Sequence, residues 1–250
     1  MIDSQILEVS GSDLPPIKQH ITMPKSCNNV AIILNGPPGC GKDTLAKALC
    51  DTPYNQLCGV HCVDSSSANT LASPCSYKRS CGRLERREFK SQLYKATAEY
   101  FGIATELFKI VATDRETKDS LKLPVLGHRT PREALIYISE MVMKPLHGKD
   151  YFGRREAAEV AKIASTCSAT FDAVYSDGGF IEEVYPLTEV FSHIYILRLY
   201  REGFTWEGDS RNWLYPPSHP DITCKDVFLT EGDIEGDSNY IKHIYQSLKL

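Results

Sequence analysis

The chain has 250 residues, 42% of them hydrophobic and 24% charged, with a formal net charge of −4 at pH 7. That length can bury a full core as one domain, and the acidic balance argues against a protein that wraps a nucleic-acid polymer. No stretch approaches the roughly 18 apolar residues of a membrane span, and Asp3, Glu8 and Asp13 stand where a secretory signal would be basic, so the cytoplasm is the expected location.

Nine cysteines, an odd number, suit reduced thiols better than a disulfide framework. Residues 1–29 mix Ser, Gly and Asp with Pro15 and Pro16 and show no period. They are expected to form a leader without chemistry, ahead of a single domain over 30–250.

Val30 to Leu34 is a continuous apolar run that predicts a buried strand, and Leu45, Ala46 and Leu49 repeat at helical spacing after it. Between them lies Gly36-Pro37-Pro38-Gly39-Cys40-Gly41-Lys42-Asp43-Thr44, which answers the GxxxxGK pattern of a phosphate-binding loop. Such a loop surrounds a polyphosphate with backbone N–H groups at close range, which side-chain-free Gly36, Gly39 and Gly41 permit. Cys40 lies inside the same cradle, and Lys42 supplies a point charge for the β- and γ-phosphates. The first turn of the following helix also favours anions. Asp43 stands where Ser or Thr is usual, so Asp43 or Thr44 is expected to reach magnesium directly or through water.

From residue 51 to 82 the composition shifts to Ser, Asn, Cys and Pro, with only Val60 to Val63 resembling a strand. This predicts an insertion. Cys58, His61, Cys62, Cys75 and Cys81 fall inside it and raise the question of zinc, but their irregular spacing favours unliganded thiols. Arg83, Arg86 and Arg87 then precede a helical period at Phe89, Leu93, Ala96 and Tyr100. They are expected either to bind phosphate or to form a solvated basic helix start. A second helix is expected from Thr105 to about Ala112.

Thr130-Pro131-Arg132-Glu133 is a capping box with proline at the first helical position. Leu135, Ile138, Met141 and Val142 form the expected buried stripe of that helix. Arg132 in the first turn opposes the helix dipole, which favours a phosphate-binding role over surface decoration. A further helix is expected from about Arg154 to Ser165. Ala173 to Tyr175 and Val190 to Leu199 suit interior strands of a parallel sheet, and the first ends in Ser176-Asp177-Gly178-Gly179. Ligand crevices of open α/β sheets lie at the carboxyl ends of strands, which places Asp177 beside the glycine-rich loop.

Arg198 and Arg201 end the next strand, followed by Gly203 to Trp213 with Asp209-Ser210-Arg211. A segment of this kind, about 201–216, can close as a lid that brings Arg201 and Arg211 onto a transferring phosphoryl group; an exposed loop with an Asp-Arg pair is the other reading. Val227 to Leu229 predicts a short last strand. Ser238 is expected to open a terminal helix with Ile241, Ile244, Tyr245 and Leu248 on one face.

In this order the pieces resemble the phage and bacterial deoxynucleoside monophosphate kinases, a branch of the P-loop nucleoside monophosphate kinases, over about residues 30–248. The marks are Gly41 to Thr44 (GKDT), Thr130-Pro131-Arg132-Glu133, Asp177 with Phe180 and Glu183, Arg201 through Asp209-Ser210-Arg211, and Asp226-Val227-Phe228-Leu229 before a helix. One mark departs, since the family commonly has arginine between the Asp and the Phe where this chain has Gly179. The resemblance implies a three-layer αβα fold with a central parallel sheet and a mobile lid. It implies transfer of the ATP γ-phosphoryl to a deoxynucleoside monophosphate with Mg²⁺, in the cytoplasm, which for a phage enzyme is that of the infected host. It further implies Lys42, Asp43, Arg201 and Arg211 as catalytic residues and Arg132, Glu140, Asp177 and Glu183 as substrate contacts. Another small-molecule or polynucleotide 5′-end kinase, or a P-loop ATPase, remain the alternatives. Accepted bases and a homodimer are left open.

Overall fold

The computed structural model describes residues 29–52, 83–166 and 170–249. The leader, the Val60 to Val63 strand, the Cys58, His61, Cys62, Cys75 and Cys81 group and the Leu248 side chain lie outside the described residues.

Strand β1 (Val30–Asn35) is buried along its whole length and leads through the glycine-rich loop into α1 (Lys42–Asp51). Then follow β2 (Arg83–Arg87), α2 (Lys90–Phe101), α3 (Thr105–Thr113), α4 (Arg115–Ser120) and α5 (Pro131–Ile136). A π-helical segment, Tyr137–Met143, continues α5 directly into α6 (Lys144–His147). After α7 (Tyr151–Thr166) come β3 (Phe171–Tyr175), α8 (Ile181–Val184), β4 (His193–Arg201), β5 (Ile222–Leu229) and α9 (Ile234–Lys249).

The five strands form one sheet in the order β2-β3-β1-β4-β5, and every ladder is parallel. Near-continuous apolar strands of this kind require cover on both faces. Leu45, Ala46 and Leu49 of α1 and Ile241, Ile244 and Tyr245 of α9 pack on one face with Ile32, Leu34 and Val174. Ala157 and Val160 of α7 and Val184 of α8 pack on the other with Ala31, Ile33 and Tyr175. The result is a helix–sheet–helix sandwich. A satellite core of Tyr94, Ala98, Phe108, Ala112 and Leu135 ties α2, α3 and α5 together beyond it.

Connections leave β1 toward β2 and leave β3 toward β4, in opposite directions across the sheet. The crevice between the carboxyl ends of β1 and β3 is therefore a topological switch point. Buried Asn35 at the end of β1 fixes its walls: Nδ2 donates to the carbonyls of Gly178 and Asn212 (3.2 Å each) and Oδ1 accepts from the Leu214 N–H (3.0 Å).

Three expectations need correction. Arg83 to Arg87 form an edge strand rather than a helix start. Their charges are compatible with a sheet edge because Arg87 Nε bonds buried Glu156 (2.8 Å), which also accepts from Gln92 and Tyr175. Met141 is 69% exposed while Met143 is buried, because the i→i+5 bonding of the π segment adds a residue to the turn and rotates the buried stripe. The last helix begins at Ile234, and Ser238 is buried within it.

Among the described residues no helix is long and apolar enough to cross a membrane.

Candidate functional site

The loop after β1 turns on Gly39 (φ 79°) and Gly41 (φ 108°), left-handed conformations that cost a side-chain-bearing residue dearly. Gly36 is required for space instead. A Cβ there would stand 2.7 Å from Cys40 Sγ and 2.9 Å from the Leu199 carbonyl oxygen. Lys42 is only 7% exposed, and its ammonium donates to the carbonyls of Gly36 and Pro37 (2.5 Å each). Burial lowers its pKa, against the opposing pull of Cys40. Burial likewise raises the Cys40 thiol, although Lys42 works the other way, so Cys40 is packing rather than a nucleophile. Thr44 is exposed in the first turn of α1.

Asp43 and Asp177 do not share partners. Asp43 Oδ1 accepts from Ser176 Oγ (2.7 Å) and from Arg86 (2.5 Å), whereas Asp177 accepts the N–H groups of Phe89 (3.1 Å) and Lys90 (2.9 Å) at the start of α2. Successive side chains leaving a strand point to opposite sides, which sends Ser176 to the loop and Asp177 to the helix. Burial pushes the Asp177 carboxyl up to about 6, with Lys90 opposing.

Beside the loop, residues 202–216 fold back over it. A Cβ on Gly39 would meet the Phe204 ring at 2.9 Å, and one on Gly179 would meet the Arg211 side chain at 2.4–2.9 Å. Arg211 thus fills the space above Gly179. It is held by Asp209 through Nε (2.9 Å) and NH2 (2.7 Å), and that guanidinium pushes Asp209 down to about 2. The Trp206 ring has Lys42 Nζ 5.8 Å from its centroid and the Arg211 guanidinium 5.7 Å away. Arg201 lies over Phe204 at 4.8 Å. Two buried donors here, Arg201 Nε and Trp206 Nε1, lack a hydrogen-bond partner among the described residues. Buried polar groups are normally paired, and the described residues supply no acceptor for either donor.

A cavity of about 490 Å³ opens beside Arg211, between the sheet end and helices α2, α5 and the π segment. Its charge is divided. Lys118 and Arg132 gather at one part of the wall, close enough that Arg132 depresses Lys118 after burial itself, and Arg211 stands within the electrostatic reach of both this part and the acidic one. Asp177, Glu140 and Glu183 gather at another, with Lys144 and the Phe180 ring 4.8 Å apart beside them. Glu183 is 8% exposed, and burial followed by the Asp177 charge pushes it up to about 8. Glu140 moves the opposite way; burial raises it, but the Lys144 ammonium (2.5 Å) and the Ser139 hydroxyl (2.9 Å) outweigh that and hold it low.

The capping box forms as expected, with Thr130 Oγ1 accepting from the Glu133 N–H and Glu133 Oε2 from the Thr130 N–H. Arg132 is not an unpaired cation. Its guanidinium makes two bonds to Asp119 of α4, and both side chains are about half exposed, which answers the unfavourable dipole in a way the sequence did not reveal. Arg198 pairs with Asp226 of β5 (2.6 Å) and stacks on Tyr215, so it braces the edge of the sheet.

Sequence reasoning missed Asn35, Ser176, Lys118, Asp119 and Lys144, and offered Arg86 only as a phosphate ligand or a solvated helix start, not as the partner of Asp43. Asn35 alone carried a signal, a polar residue closing a fully apolar run. No protein-family model matches the chain, and no curated protein matches it.

Proposed function

We propose that this protein transfers the γ-phosphoryl group of ATP to a deoxynucleoside monophosphate, forming the diphosphate. The observation that carries the reading is the Trp206 ring, beside which stand both Lys42 of the glycine-rich loop and Arg211 of a two-signed cavity. A donor polyphosphate and a smaller anionic acceptor can meet there.

The residues fit an ATP polyphosphate. Gly36 leaves room where a Cβ would collide with the loop itself, Lys42 is a buried ammonium at the loop, and Arg201 Nε and Trp206 Nε1 are donors in need of acceptors. Magnesium would be held by Thr44 at the first turn of α1, with Asp43 kept in place by Arg86 and Ser176, and would supply charge neutralisation on the phosphates when bound. Lys42 would balance the charge of the donor. Arg211, fixed by Asp209, and Arg201 would face the transferring group, while Phe204 and Trp206 exclude water. The cationic wall of Lys118 and Arg132 suits the acceptor phosphate, and the aromatic and carboxyl wall suits its base. Such chemistry rests on positioning and charge neutralisation and needs no covalent intermediate.

The test is to incubate the purified protein with ATP, magnesium and each of the four deoxynucleoside monophosphates in turn, with ribonucleotides as comparison. ADP and the matching diphosphate in equal amounts are expected. Inorganic phosphate released at the same rate whether or not an acceptor is present would overturn the reading in favour of an ATPase.

A further inference from the structure

Among the carboxyls of the cavity wall, Glu183 stands apart in having no partner. It is more than nine-tenths buried, it lines the cavity, and its neighbours act on it through charge alone, with no hydrogen bond reaching the carboxyl among the described residues. Its placement is also rigid. A Cβ on Gly153 of α7 would stand 2.4–2.8 Å from the Glu183 backbone, so helix and backbone are pressed together with nothing between them. The phosphate-compatible cations Lys118 and Arg132 belong to the other part of the wall. A rigid, buried, unpartnered carboxyl beside aromatic rings is a device for reading a polar edge.

We infer that Glu183 is the specificity-determining residue of this cavity, pairing with the base edge of the bound nucleotide as a carboxylic acid whose O–H donates and whose C=O accepts. This rests on the phosphotransferase reading above. The groups facing Glu183 are Asp177 from the end of β3, Glu140 from the π segment, Glu182 from its own helix, Lys144 from α6 and Arg211 from the 202–216 segment. Burial above all, and then the charges of Asp177, Glu182 and Glu140 against that of Lys144, push the carboxyl up to about 8.

The protonation state decides which bases fit. A carboxylic acid offers one donor and one acceptor, whereas a carboxylate offers acceptors only. Cytosine presents an amino N–H beside an unprotonated ring nitrogen, and adenine does the same; both match the acid, and both set a lone pair against the carboxylate. Guanine presents two adjacent N–H donors, N1–H and the amino group, which match the carboxylate. The cavity therefore accepts several bases near neutrality and narrows toward guanine as the pH rises past about 8.

The experiment is calorimetric binding of dCMP and dGMP to the parent protein and to Glu183→Gln, between about pH 6.5 and about pH 9, with phosphoryl transfer assayed on the same samples. Taking the ratio of the two nucleotides cancels the titration of their phosphates. In the parent, the affinity for dCMP relative to dGMP should fall roughly tenfold across the window, as expected for one titrating group. In Glu183→Gln the ratio should stay flat, because the amide keeps one donor face and one acceptor face at every pH. A pH-independent ratio in the parent overturns the inference even if the variant does not fold, and so does the same fall in a folded variant. If transfer proceeds while the ratio is flat, the base-reading role alone is lost. If neither nucleotide binds nor is phosphorylated, the phosphotransferase reading falls with it.

Discussion

The glycine-rich loop that holds Lys42 and the cavity lined by Arg132 are built by different means. On the Lys42 side nine consecutive residues make the cradle, and backbone geometry does most of it: two left-handed glycines, a third with no room for a Cβ, and carbonyls that receive the lysine. Around the Arg132 cavity six separate stretches of chain contribute side chains, and charge balance among them sets the properties. A backbone-built site is insensitive to the titration of its neighbours and intolerant of added bulk. A side-chain-built site is tunable, and it responds to pH.

The largest expected effect tests the cradle. Lys42→Ala should cost roughly 3 kcal/mol or more in kcat/KM, the scale of losing a main electrostatic stabiliser, while the melting temperature stays near the parent's because a buried ammonium has been removed. Near-normal turnover in a folded variant would detach the loop from the chemistry.

The next tests the pH response of the cavity. Glu183 and Asp177 have folded-state values raised to about 8 and about 6 from ordinary values of 4.5 and 3.8. Their contribution to stability is thus fully present below about pH 4 and is lost as the pH rises through about 6 and then about 8. At about 1.4 kcal/mol for each tenfold change in proton affinity, reduced for water penetration and relaxation, the loss is on the order of 3 kcal/mol. Urea unfolding at intervals between those limits should show that decline, and Glu183→Gln should flatten its upper part. A stability profile in the variant that runs parallel to the parent's would mean that the carboxyl does not titrate in this range.

Arg132→Ala should raise the KM for the nucleotide acceptor and lower kcat/KM by about 2 kcal/mol, the size of a charge-assisted contact, with the KM for ATP little altered. The variant should gain no thermal stability, because Asp119 already answers the charge. A collapse of the ATP parameters instead would reverse the assignment of the two sides. The smallest effect sharpens the boundary between them. Gly179→Ala puts a methyl group against Arg211 and should lower kcat about tenfold, or about 1.4 kcal/mol, at unchanged KM for ATP; unaltered kcat would take Arg211 off the reacting group.

The same contrast explains what can be read in advance. The strand–loop–helix at residues 30–51 and the capping box are local patterns and form where the residues indicate, whereas the strand expected from Val190 begins at His193 and the one expected from Val227 begins at Ile222. The Arg83–Arg87 strand is hidden because its charges find partners remote in sequence, Glu156 and Asp43, and a run of basic residues carries no trace of them. Met141 departs from the expected stripe because nothing in the residue types announces a π turn. Arg132 does stand out as a charge against a dipole, yet its partner Asp119 sits thirteen residues upstream on a helix the periodicity does not disclose. The site is readable where neighbours in space are neighbours in sequence.

Asn35 has a consequence for the order in which the molecule can be made. Its three side-chain bonds reach 143, 177 and 179 residues ahead, so the strand that opens the cradle emerges from the ribosome long before the segments that complete it exist. At a synthesis rate of about 5–20 residues per second, that wait is roughly 9–36 seconds. Until residue 214 is available, the amide at the end of β1 lacks its full set of partners and must remain partly hydrated, which keeps the end of the central strand from locking early. The glycine-rich loop is therefore among the first described parts to be synthesised and among the last to be fixed. A nascent chain arrested before residue 212 should expose it to protease, while one released beyond residue 214 should protect it.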